Sequence, residues 1–533
     1  MGQTVRVNGS LILLVACAVA LAGLARRIGV SAPLLLVIAG LAATFVPGVP
    51  SFALDPELVL PFVLPPLLYK EAVDSSYLNL RASMRPVALL SVGYVLFSTL
   101  LVGWVVHLVI PGMPASAALC LGAVLAPTDA VAASGIARSV GLPGRFVTLL
   151  QGESLFNDAT AITLVRVAVA AAVGSGFSLL SGVGEFLLAS VGGVAVGLVL
   201  GVVVQWLRVR LRDPRLRTVL SLLIPFAAYE LAESFEASGV LAVVVLGVYL
   251  GHRSATVDYA ARLIEGSVWK MLDFVLEAVV FALIGLQLPV VVSGLGRWSA
   301  GQLAGYSALV LAVLIVGRFV WMFPGAWLPR LMFRYIRERE PSPGWQGPVI
   351  MAWAGMRGVV SLAVAFSIPL RTEDGSPFPG RELILFLVFV AVIGTLVLQG
   401  FTLPKVISWM RLPKEDPQQA TLAEASAQEE ASRVAQARLE ELLAEPGNQL
   451  PEALEERLRV VLTRRRNAVW ERMGAVNAET GESQDETYRR LARIMIETER
   501  AEFVRLRNER RIEDELLRRL LRRLDHEEAA VAG

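Results

Sequence analysis

The chain has few of the residues that build metal centres and disulfide frameworks. Histidine occurs three times and cysteine twice in 533 residues. Both cysteines, Cys17 and Cys120, fall in apolar stretches, so a disulfide framework or a metal cluster is excluded. The scarcity of histidine argues against a histidine-ligated metal or haem. Charge is also scarce, at 18% of residues, and about half of it falls after residue 411, in less than a quarter of the chain.

Long apolar stretches dominate the rest of the chain. Hydrophobic residues make up 55% of the sequence, and the mean hydropathy is +0.59. A helix of about 20 apolar residues crosses the roughly 30 Å hydrocarbon core of a bilayer. The pattern therefore predicts an all-α membrane protein with about thirteen spans, at 9–25, 29–47, 56–72, 86–110, 114–137, 146–174, 180–207, 218–234, 238–251, 266–292, 303–328, 345–370 and 382–408.

Positive charge alternates between successive connections. Arginine-containing connections follow the odd-numbered stretches up to the eleventh, and they begin at Arg26, Arg81, Arg138, Arg208, Arg253 and Arg330. The alternate connections contain only Arg297, Arg371 and Arg381. By the positive-inside rule the first set is cytoplasmic, which predicts an external N-terminus and a cytoplasmic C-terminus.

An odd number of spans allows two six-helix halves of inverted topology with a linker helix between them. The fifth span contains Ala126-Pro127-Thr128-Asp129, and the corresponding twelfth span contains Ala354-Gly355-Met356-Arg357-Gly358. Paired helix-breaking segments in corresponding spans point to a binding site at the membrane midplane. We therefore expect discontinuous helices that cross there.

The strongest functional signal lies within the sixth span. Glu153 and Asn157 are four residues apart, as are Ser154 and Asp158, so each pair shares a helical face. A charged side chain at the centre of a spanning helix costs about 2.5–3.5 kcal/mol on insertion scales, so such residues are rare unless functional. A proton and a cation would compete for the Asp158 carboxylate, which indicates an exchanger.

Other ionisable residues at membrane depth have alternative roles. Arg357 needs a partner, and we expect Glu153, with Asn157 hydrogen-bonded between them; this pair either supports transport or only locks the bundle. Arg318 is expected to be structural, either snorkelling or pairing with a helix end. Glu277 either lines the ion pathway or faces a neighbouring helix.

Five segments together resemble the monovalent cation:proton antiporter family, the Na+/H+ exchangers of the NhaP and eukaryotic NHE type. They are Leu-Pro-Pro-Leu-Leu-Tyr-Lys-Glu-Ala at 64–72, Ala-Pro-Thr-Asp-Ala-Val at 126–131, Gly-Glu-Ser-Leu-Phe-Asn-Asp at 152–158, Ser-Gly-Val-Leu-Ala-Val-Val at 238–244 and Gly-Met-Arg-Gly at 355–358. The resemblance covers essentially the whole membrane region and implies a bacterial antiporter of the cytoplasmic membrane.

The resemblance implies a role for each matching residue. Asp158 is expected to carry the cation or the proton. Thr128 and Asp129 on the unwound helix, Ser154 one turn before the carrier, and Glu71 on the third span are expected to contribute to the cation site. Bound Na+ would contact Asp158, Asp129, Thr128 and Ser154.

A second set of residues is implied to support the site. Glu153 and Arg357 are expected to brace Asn157. The Asn-Asp pair, in place of two aspartates, implies electroneutral exchange of one cation for one proton. We expect no cofactor; the partners are a monovalent cation (Na+, K+ or Li+), protons and the lipid bilayer.

The composition changes after the last span. We place a transmembrane exchanger domain at 1–411 and a charged cytoplasmic tail at 412–533. Helices are expected at about 418–444, 451–478 and 485–527, with breaks at Pro446-Gly447 and near Gly481. A four-spaced apolar stripe, Ile512, Leu516, Leu520 and Leu524, predicts either a self-packing helical cap or a partner-binding module. Its cytoplasmic location would let it regulate transport or support a homodimer. No phosphate-binding glycine loop occurs in the tail, and no nucleic-acid partner is expected.

Two other classes of protein share part of this pattern. Asp129 and Asp158 suggest the carboxylate dyad of an intramembrane aspartyl protease, but the neighbouring asparagine and Arg357 argue against it. A cation channel needs a continuous pore, usually lined by rings of like groups. The single proton-competent carrier favours alternating access, for pH and cation homeostasis.

Overall fold

A computed structural model describes residues 2–29, 31–47, 61–174, 179–254, 258–292, 294–339, 344–412, 417–445, 450–473 and 484–532. The described residues are helical apart from turns and one isolated bridge between Arg371 and Pro377. They form two units, Met1–Pro413 and Lys414–Gly533, described separately below. The boundary lies within two residues of the predicted domain boundary at 411/412.

The first unit is a bundle of apolar helices. Its first half contains α1 (Gly2–Ile28), α2 (Ala32–Ala43), α3 (Leu64–Asp74), α4 (Tyr77–Ala82), α5 (Met84–Val109), α6 (Ala115–Leu125), α7 (Ala130–Ser139) and α8 (Gly144–Val173). Its second half contains α9 (Leu179–Arg210), α10 (Pro214–Ser234), α11 (Gly239–His252), α12 (Tyr259–Leu286), α13 (Leu288–Val292), α14 (Ala300–Met332), α15 (Arg334–Arg339), α16 (Gln346–Trp353), α17 (Val359–Phe366) and α18 (Arg381–Met410).

Each predicted span coincides with one or two of these helices. Within the described residues, five helices are individually long and apolar enough to cross a membrane. They lie in α5, α8, α9, α14 and α18. Residues 56–60 of the predicted third span lie outside the described residues. Long amphipathic and apolar helices with short connections give a multi-pass membrane protein.

The two predicted interruptions are confirmed. Helix α6 ends at Leu125 and α7 starts at Ala130, while α16 ends at Trp353 and α17 starts at Val359. Pro127 cannot donate a backbone hydrogen bond, and glycines at 355 and 358 weaken the second helix at the same depth. Two extended segments, 126–129 and 354–358, therefore lie inside an otherwise helical bundle.

Close backbone contacts hold the functional helices in place. A Cβ atom on Gly247 would approach Ala72 of α3 to 2.6 Å, and one on Gly285 would approach the backbone nitrogen of Leu41 in α2 to 2.6 Å. Gly122 of α6 likewise meets the backbone of Thr99 in α5. Small residues let helix backbones approach closely where no hydrophobic force between helices operates in lipid.

Helix α5 contains a π-helical turn at Leu89–Tyr94. The Trp321 indole of α14 donates to the Leu89 carbonyl oxygen at 3.2 Å. Trp321 also stacks on Phe97, with ring centroids 5.1 Å apart. The turn places Tyr94 in the interior, where the site uses it.

The second unit contains α19 (Pro417–Leu443), α20 (Glu452–Met473), α21 (Gln484–Asn508) and α22 (Asp514–Ala532) within the described residues. The predicted single helix at 485–527 is therefore wrong, because the chain turns at 509–513, where Arg510 has a left-handed backbone. Pro446, Gly447 and Gly481 lie outside the described residues.

The predicted apolar stripe of the tail is corrected in register. Ile512 precedes α22, and Leu516 is 39% exposed, whereas Leu517 and Leu524 are buried. Leu520 is half-buried between them. The seven-residue spacing of Leu517 and Leu524 defines the packed face of α22, which lies against α21.

Candidate ion-binding site

The two interrupted helices cross and are joined by direct hydrogen bonds. The Asp129 amide donates to the Met356 carbonyl at 2.8 Å. A Cβ atom on Gly358 would clash with the Asp129 carboxylate, so the two extended segments touch. The Asp129 carboxylate in turn accepts a hydrogen bond from the Val131 amide at 2.8 Å, at the first turn of α7. Asp129 therefore caps α7 at the crossing point.

Arg357 satisfies the carbonyl groups that the interruptions leave without helical partners. Its guanidinium donates to the Leu125 carbonyl and to the Gly355 carbonyl, each at 2.6 Å. It also donates to the Tyr94 hydroxyl at 2.8 Å, and its backbone amide donates to Thr395 at 3.0 Å. A cation at the C-terminal end of α6 also complements the partial negative charge of that helix end.

The predicted pairing of Glu153 with Arg357 is wrong. Glu153 forms a two-pronged ion pair with Arg318 of α14, at 2.5 and 2.8 Å. Both side chains are 1% exposed. The physical reason is that Arg357 is committed to backbone carbonyls on two sides, which leaves Arg318 to neutralise the buried carboxylate.

Arg318 is therefore more than a snorkelling or surface-anchoring residue. Its Nε donates to the Met351 carbonyl near the end of α16 at 3.1 Å, so the predicted contact with a helix end is present. A Cβ atom on Gly355 would meet the Arg318 side chain. The glycine at the interruption thus lets the guanidinium pass to Glu153.

A chain of hydrogen bonds links Asn157 to this ion pair. The Asn157 amide donates to the Thr128 carbonyl at 3.1 Å and to the Thr128 hydroxyl at 3.0 Å. The Thr128 hydroxyl donates to Glu153 at 2.8 Å. Asn157 is thus connected to Glu153 through Thr128, not between Glu153 and Arg357 as expected. The amide also fixes the extended segment 126–129 on α8.

Asp158 has a different environment from Glu153 on the same helix. It is 5% exposed and lies at the wall of a cavity of about 780 Å³. Among the described residues no basic side chain forms an ion pair with it. The two buried carboxylates of this helix therefore have different environments. An arginine neutralises Glu153, whereas Asp158 faces a cavity.

The same cavity collects the other predicted site residues. Glu71, Thr128, Asp129, Ser154 and Asp158 all line it. The cavity thus brings together the third, fifth and sixth predicted spans, as the resemblance implied. Within the described residues, no three of the acidic side chains lie close enough to form a preassembled metal centre. A cation here would have to be bound with hydroxyl, carbonyl and water oxygens completing its shell.

Two acidic residues of α12 add to this cavity. Glu277 lines it, which favours the pathway interpretation over a contact with a neighbouring helix. Asp273, one turn earlier, also lines it and was missed by sequence reasoning. The four-residue spacing between Asp273 and Glu277 was a signal in the sequence, because it places both side chains on one face of the helix. Asp273 was missed because it precedes the most apolar part of the predicted span.

The cavity is also lined by residues at one end of the bundle. Arg26, Ser31, Lys70 and Asp74 line it together with Pro404. These residues lie at the C-terminal ends of α1, α3 and α18 or at the start of α2. Lys70 and Asp74 form an ion pair there.

Tyr94 is a further residue that sequence reasoning missed. Its ring centroid lies 4.9 Å from the Arg318 guanidinium carbon and 5.9 Å from that of Arg357. The π-helical turn that places it has no clear sequence signature. The tyrosine separates the two buried arginines and accepts a hydrogen bond from one of them.

The family model described as "Sodium/hydrogen exchanger, transmembrane" matches residues 12–409, about three quarters of the chain. The chain belongs to this family. The exchanger is 36% identical over 410 residues to a protein of Mycobacterium tuberculosis named as a Na(+)/H(+) exchanger. The aligned residues cover 76% of this chain and 75% of the relative. It is 33% identical over 386 residues to the "Sodium, potassium, lithium and rubidium/H(+) antiporter" of Bacillus subtilis, covering 70% of this chain and 57% of the relative.

A solved structure gives the same fold. The exchanger matches the sodium proton antiporter MjNhaP1 from Methanocaldococcus jannaschii with a TM-score of 0.63 and 20% identity, over 77% of this chain and all of that one. The family assignment confirms the resemblance seen in the sequence. The exchanger is a membrane-integral sodium/proton antiporter, so the protease alternative is wrong.

Proposed function

We propose that this exchanger carries one monovalent cation against one proton by alternating access, with Asp158 as the shared carrier. The observation that carries the proposal is the contrast between Glu153, which is paired with Arg318, and Asp158, which faces the cavity without a basic partner among the described residues. A carboxylate buried in this way is stabilised either by a proton or by a bound cation.

The cation site is built around the crossing of the interrupted helices. Asp158 and Ser154 would contact the ion from α8, while Thr128 and Asp129 would contact it from the extended segment of α6 and α7. The side-chain oxygen of Thr128 already accepts from Asn157 and donates to Glu153, so its carbonyl and hydroxyl are held in fixed positions. Glu71 lies on the same cavity and would contribute from α3.

The supporting residues hold the site together and neutralise its second buried carboxylate, that of Glu153. Glu153, Asn157 and Arg357 hold the extended segments, and Arg318 neutralises Glu153. With Glu153 neutralised, Asp158 is the carboxylate that exchanges its proton for the cation. One charge then moves each way, so the exchange is electroneutral.

In this proposal the cavity gives access to the site from the cytoplasm. The residues at the cavity mouth, including Arg26, Lys70 and Pro404, belong to helix ends assigned to the cytoplasm by the arginine distribution. Alternating access would then move the crossing segments relative to α1, α3 and α12, closing this mouth and opening the opposite one. The same proposal places the N-terminus outside and the tail in the cytoplasm. It also includes a homodimer in the bacterial inner membrane.

The cation range is proposed to include Na+, K+ and Li+. The cavity offers hydroxyl and carboxylate oxygens, and a relative named as a sodium, potassium, lithium and rubidium antiporter is 33% identical to this chain. Oxygen ligands in a cavity completed by water discriminate weakly among alkali ions. The role in the cell would be pH and cation homeostasis.

The test is cation-induced recovery of a pH dye in everted vesicles, with each alkali ion added in turn. Asp158→Asn should abolish the response to every ion, because an amide can neither release a proton nor balance a cation. Asp374→Asn, in an exposed connection, is the matched control and should respond as the wild type does. Cation-dependent dye recovery in Asp158→Asn would contradict the carrier assignment. Cation flux that continues without proton movement would favour the channel alternative.

A further inference from the structure

A second cavity, of about 370 Å³, lies between α5, α8, α14 and α16. No residue that lines it also lines the ion cavity. Its walls are largely apolar and aromatic, with Leu89, Leu90, Phe146, Trp321 and Met322 among them. The residues proposed to bind the ion therefore do not account for this cavity.

Three arginines from three helices surround this cavity. Arg85 lies in the first turn of α5, Arg145 in the first turn of α8, and Arg330 in the last turn of α14. Among the described residues that line the cavity, none is acidic. All three arginines belong to connections assigned to the cytoplasm by the distribution of positive charge. The cavity therefore has a strongly basic rim on an apolar interior.

We propose that this cavity binds an anionic phospholipid of the cytoplasmic leaflet, with the phosphate at the arginines and part of an acyl chain between the apolar walls. Guanidinium groups bind phosphate oxygens in a two-pronged geometry. Basic pockets between transmembrane helices on the cytoplasmic side are suited to lipid headgroups. A free phosphate or a nucleotide is also anionic, but it has no acyl chain to pack against the apolar walls.

The lipid-facing surface beside the cavity supports a lipid over a soluble anion. Leu328 and Leu331 of α14 are 52% and 78% exposed, and they lie on either side of Arg330 in the sequence. Such apolar residues at a helix end face hydrocarbon in a membrane protein. A lipid headgroup can thus reach the arginines from the bilayer while its chain stays in an apolar environment.

A ligand bound in this cavity would contact residues that are hydrogen-bonded to the ion-binding site. Met351 lines the cavity, and its carbonyl oxygen accepts a hydrogen bond from Arg318, the partner of Glu153. Trp321 lines it one helical turn after Arg318 on α14. A lipid bound here would favour the folded arrangement of α14 and α16, because a ligand stabilises the state to which it binds.

The test compares two variants of the intact exchanger with matched controls by native mass spectrometry of delipidated protein. The probes are phosphatidylglycerol, phosphatidylcholine with the same chains, and soluble glycerol phosphate. Gly325→Leu fills the apolar part, since a Cβ there meets only Trp321 at 3.9 Å. Gly305→Leu on the same helix meets no atom within 4 Å and lies outside the cavity, so it serves as the control.

The second variant replaces Arg85, Arg145 and Arg330 with glutamine. Its control replaces Arg27, Arg212 and Arg215, which are exposed and do not line the cavity. We expect phosphatidylglycerol binding to weaken about fivefold for each arginine removed. Gly325→Leu should also lose binding, both controls should keep it, and glycerol phosphate should not displace the lipid.

Three results would overturn the proposal. Unchanged phosphatidylglycerol binding in both cavity variants would show that the lipid binds elsewhere. Equal binding of phosphatidylcholine, unaffected by the arginine changes, would show a general lipid contact. Displacement by glycerol phosphate, with binding retained in Gly325→Leu, would assign the cavity to a soluble phosphate. Transport activity and elution volume of Gly325→Leu show that this variant is folded.

Discussion

Two buried carboxylates five residues apart on α8 have opposite environments. Glu153 is fixed by two hydrogen bonds from Arg318 and one from Thr128. Asp158 faces the cavity, where water, a proton or a cation can reach it. Arg318 therefore neutralises Glu153, whereas no basic side chain among the described residues forms an ion pair with Asp158.

The first expectation at this scale concerns competition at Asp158. Because the cation and the proton share one carboxylate, lowering the pH should weaken apparent cation affinity. In the range where the carboxyl group is mostly protonated, the half-saturating Na+ concentration should rise about tenfold per pH unit. Dye recovery measured at several pH values and Na+ concentrations gives this slope. A half-saturating concentration independent of pH would rule out a shared carrier.

The second expectation concerns the Glu153–Arg318 pair. Removing one partner leaves a buried charge without compensation, so Arg318→Gln or Glu153→Gln should each cost about 3–5 kcal/mol of stability. The double variant should be more stable than either single one, as followed by thermal unfolding in detergent. Combining Glu153→Gln with Arg357→Gln is the control, and it should show no such recovery. Recovery in the control instead would restore the pairing expected from the sequence.

Sequence reasoning recognised the residues but not all of their partners. Spacing along a helix identified Glu153, Asn157 and Asp158 as a polar group at membrane depth, and the structure places them on one buried helix. The choice between Arg318 and Arg357 depended on the path of a long side chain across four helices, which no local pattern encodes. Arg318 reaches Glu153 because Gly355 leaves room for it.

At the scale of elements, the two interrupted helices are the centre of the site. Their breaks were predictable because Pro127 and the glycines at 355 and 358 act locally on the helix. The contact between the breaks was not predictable, since it is a tertiary contact between Asp129 and Met356. The tail shows the reverse case: its turn at 509–513 contains neither proline nor glycine, so the sequence predicted one helix there.

Adding one methyl group at residue 358 tests the close contact between the two extended segments. Gly358→Ala should reduce transport by about tenfold or more, because its Cβ would press into the Asp129 carboxylate and overpacking costs about 1–3 kcal/mol. Gly305→Ala on α14 is the control, since a Cβ there meets no atom within 4 Å and the residue does not line the ion cavity. Initial rates of dye recovery at equal protein amounts give the comparison. Wild-type rates in Gly358→Ala would contradict the close crossing.

At the scale of the whole molecule, the apolar helices of the first unit enclose the cavity that collects the proposed site residues. Hydropathy predicted the order of the apolar helices along the chain, and the described residues of the first unit follow it. The ion cavity, by contrast, is a product of the assembled bundle, since helices α1, α3, α8, α12 and α18 all line it. Asp158 lies at its wall together with residues from several of these helices.

The most direct test of the central claim is the electrical balance of exchange. Purified exchanger reconstituted in liposomes is exposed to a Na+ gradient while current and proton flux are recorded together. If Asp158 alone carries the cation and the proton, proton flux should be present while no transient or steady current accompanies it, and a clamped membrane potential should not drive exchange. Currents proportional to cation flux would contradict one-for-one exchange at a single carboxylate.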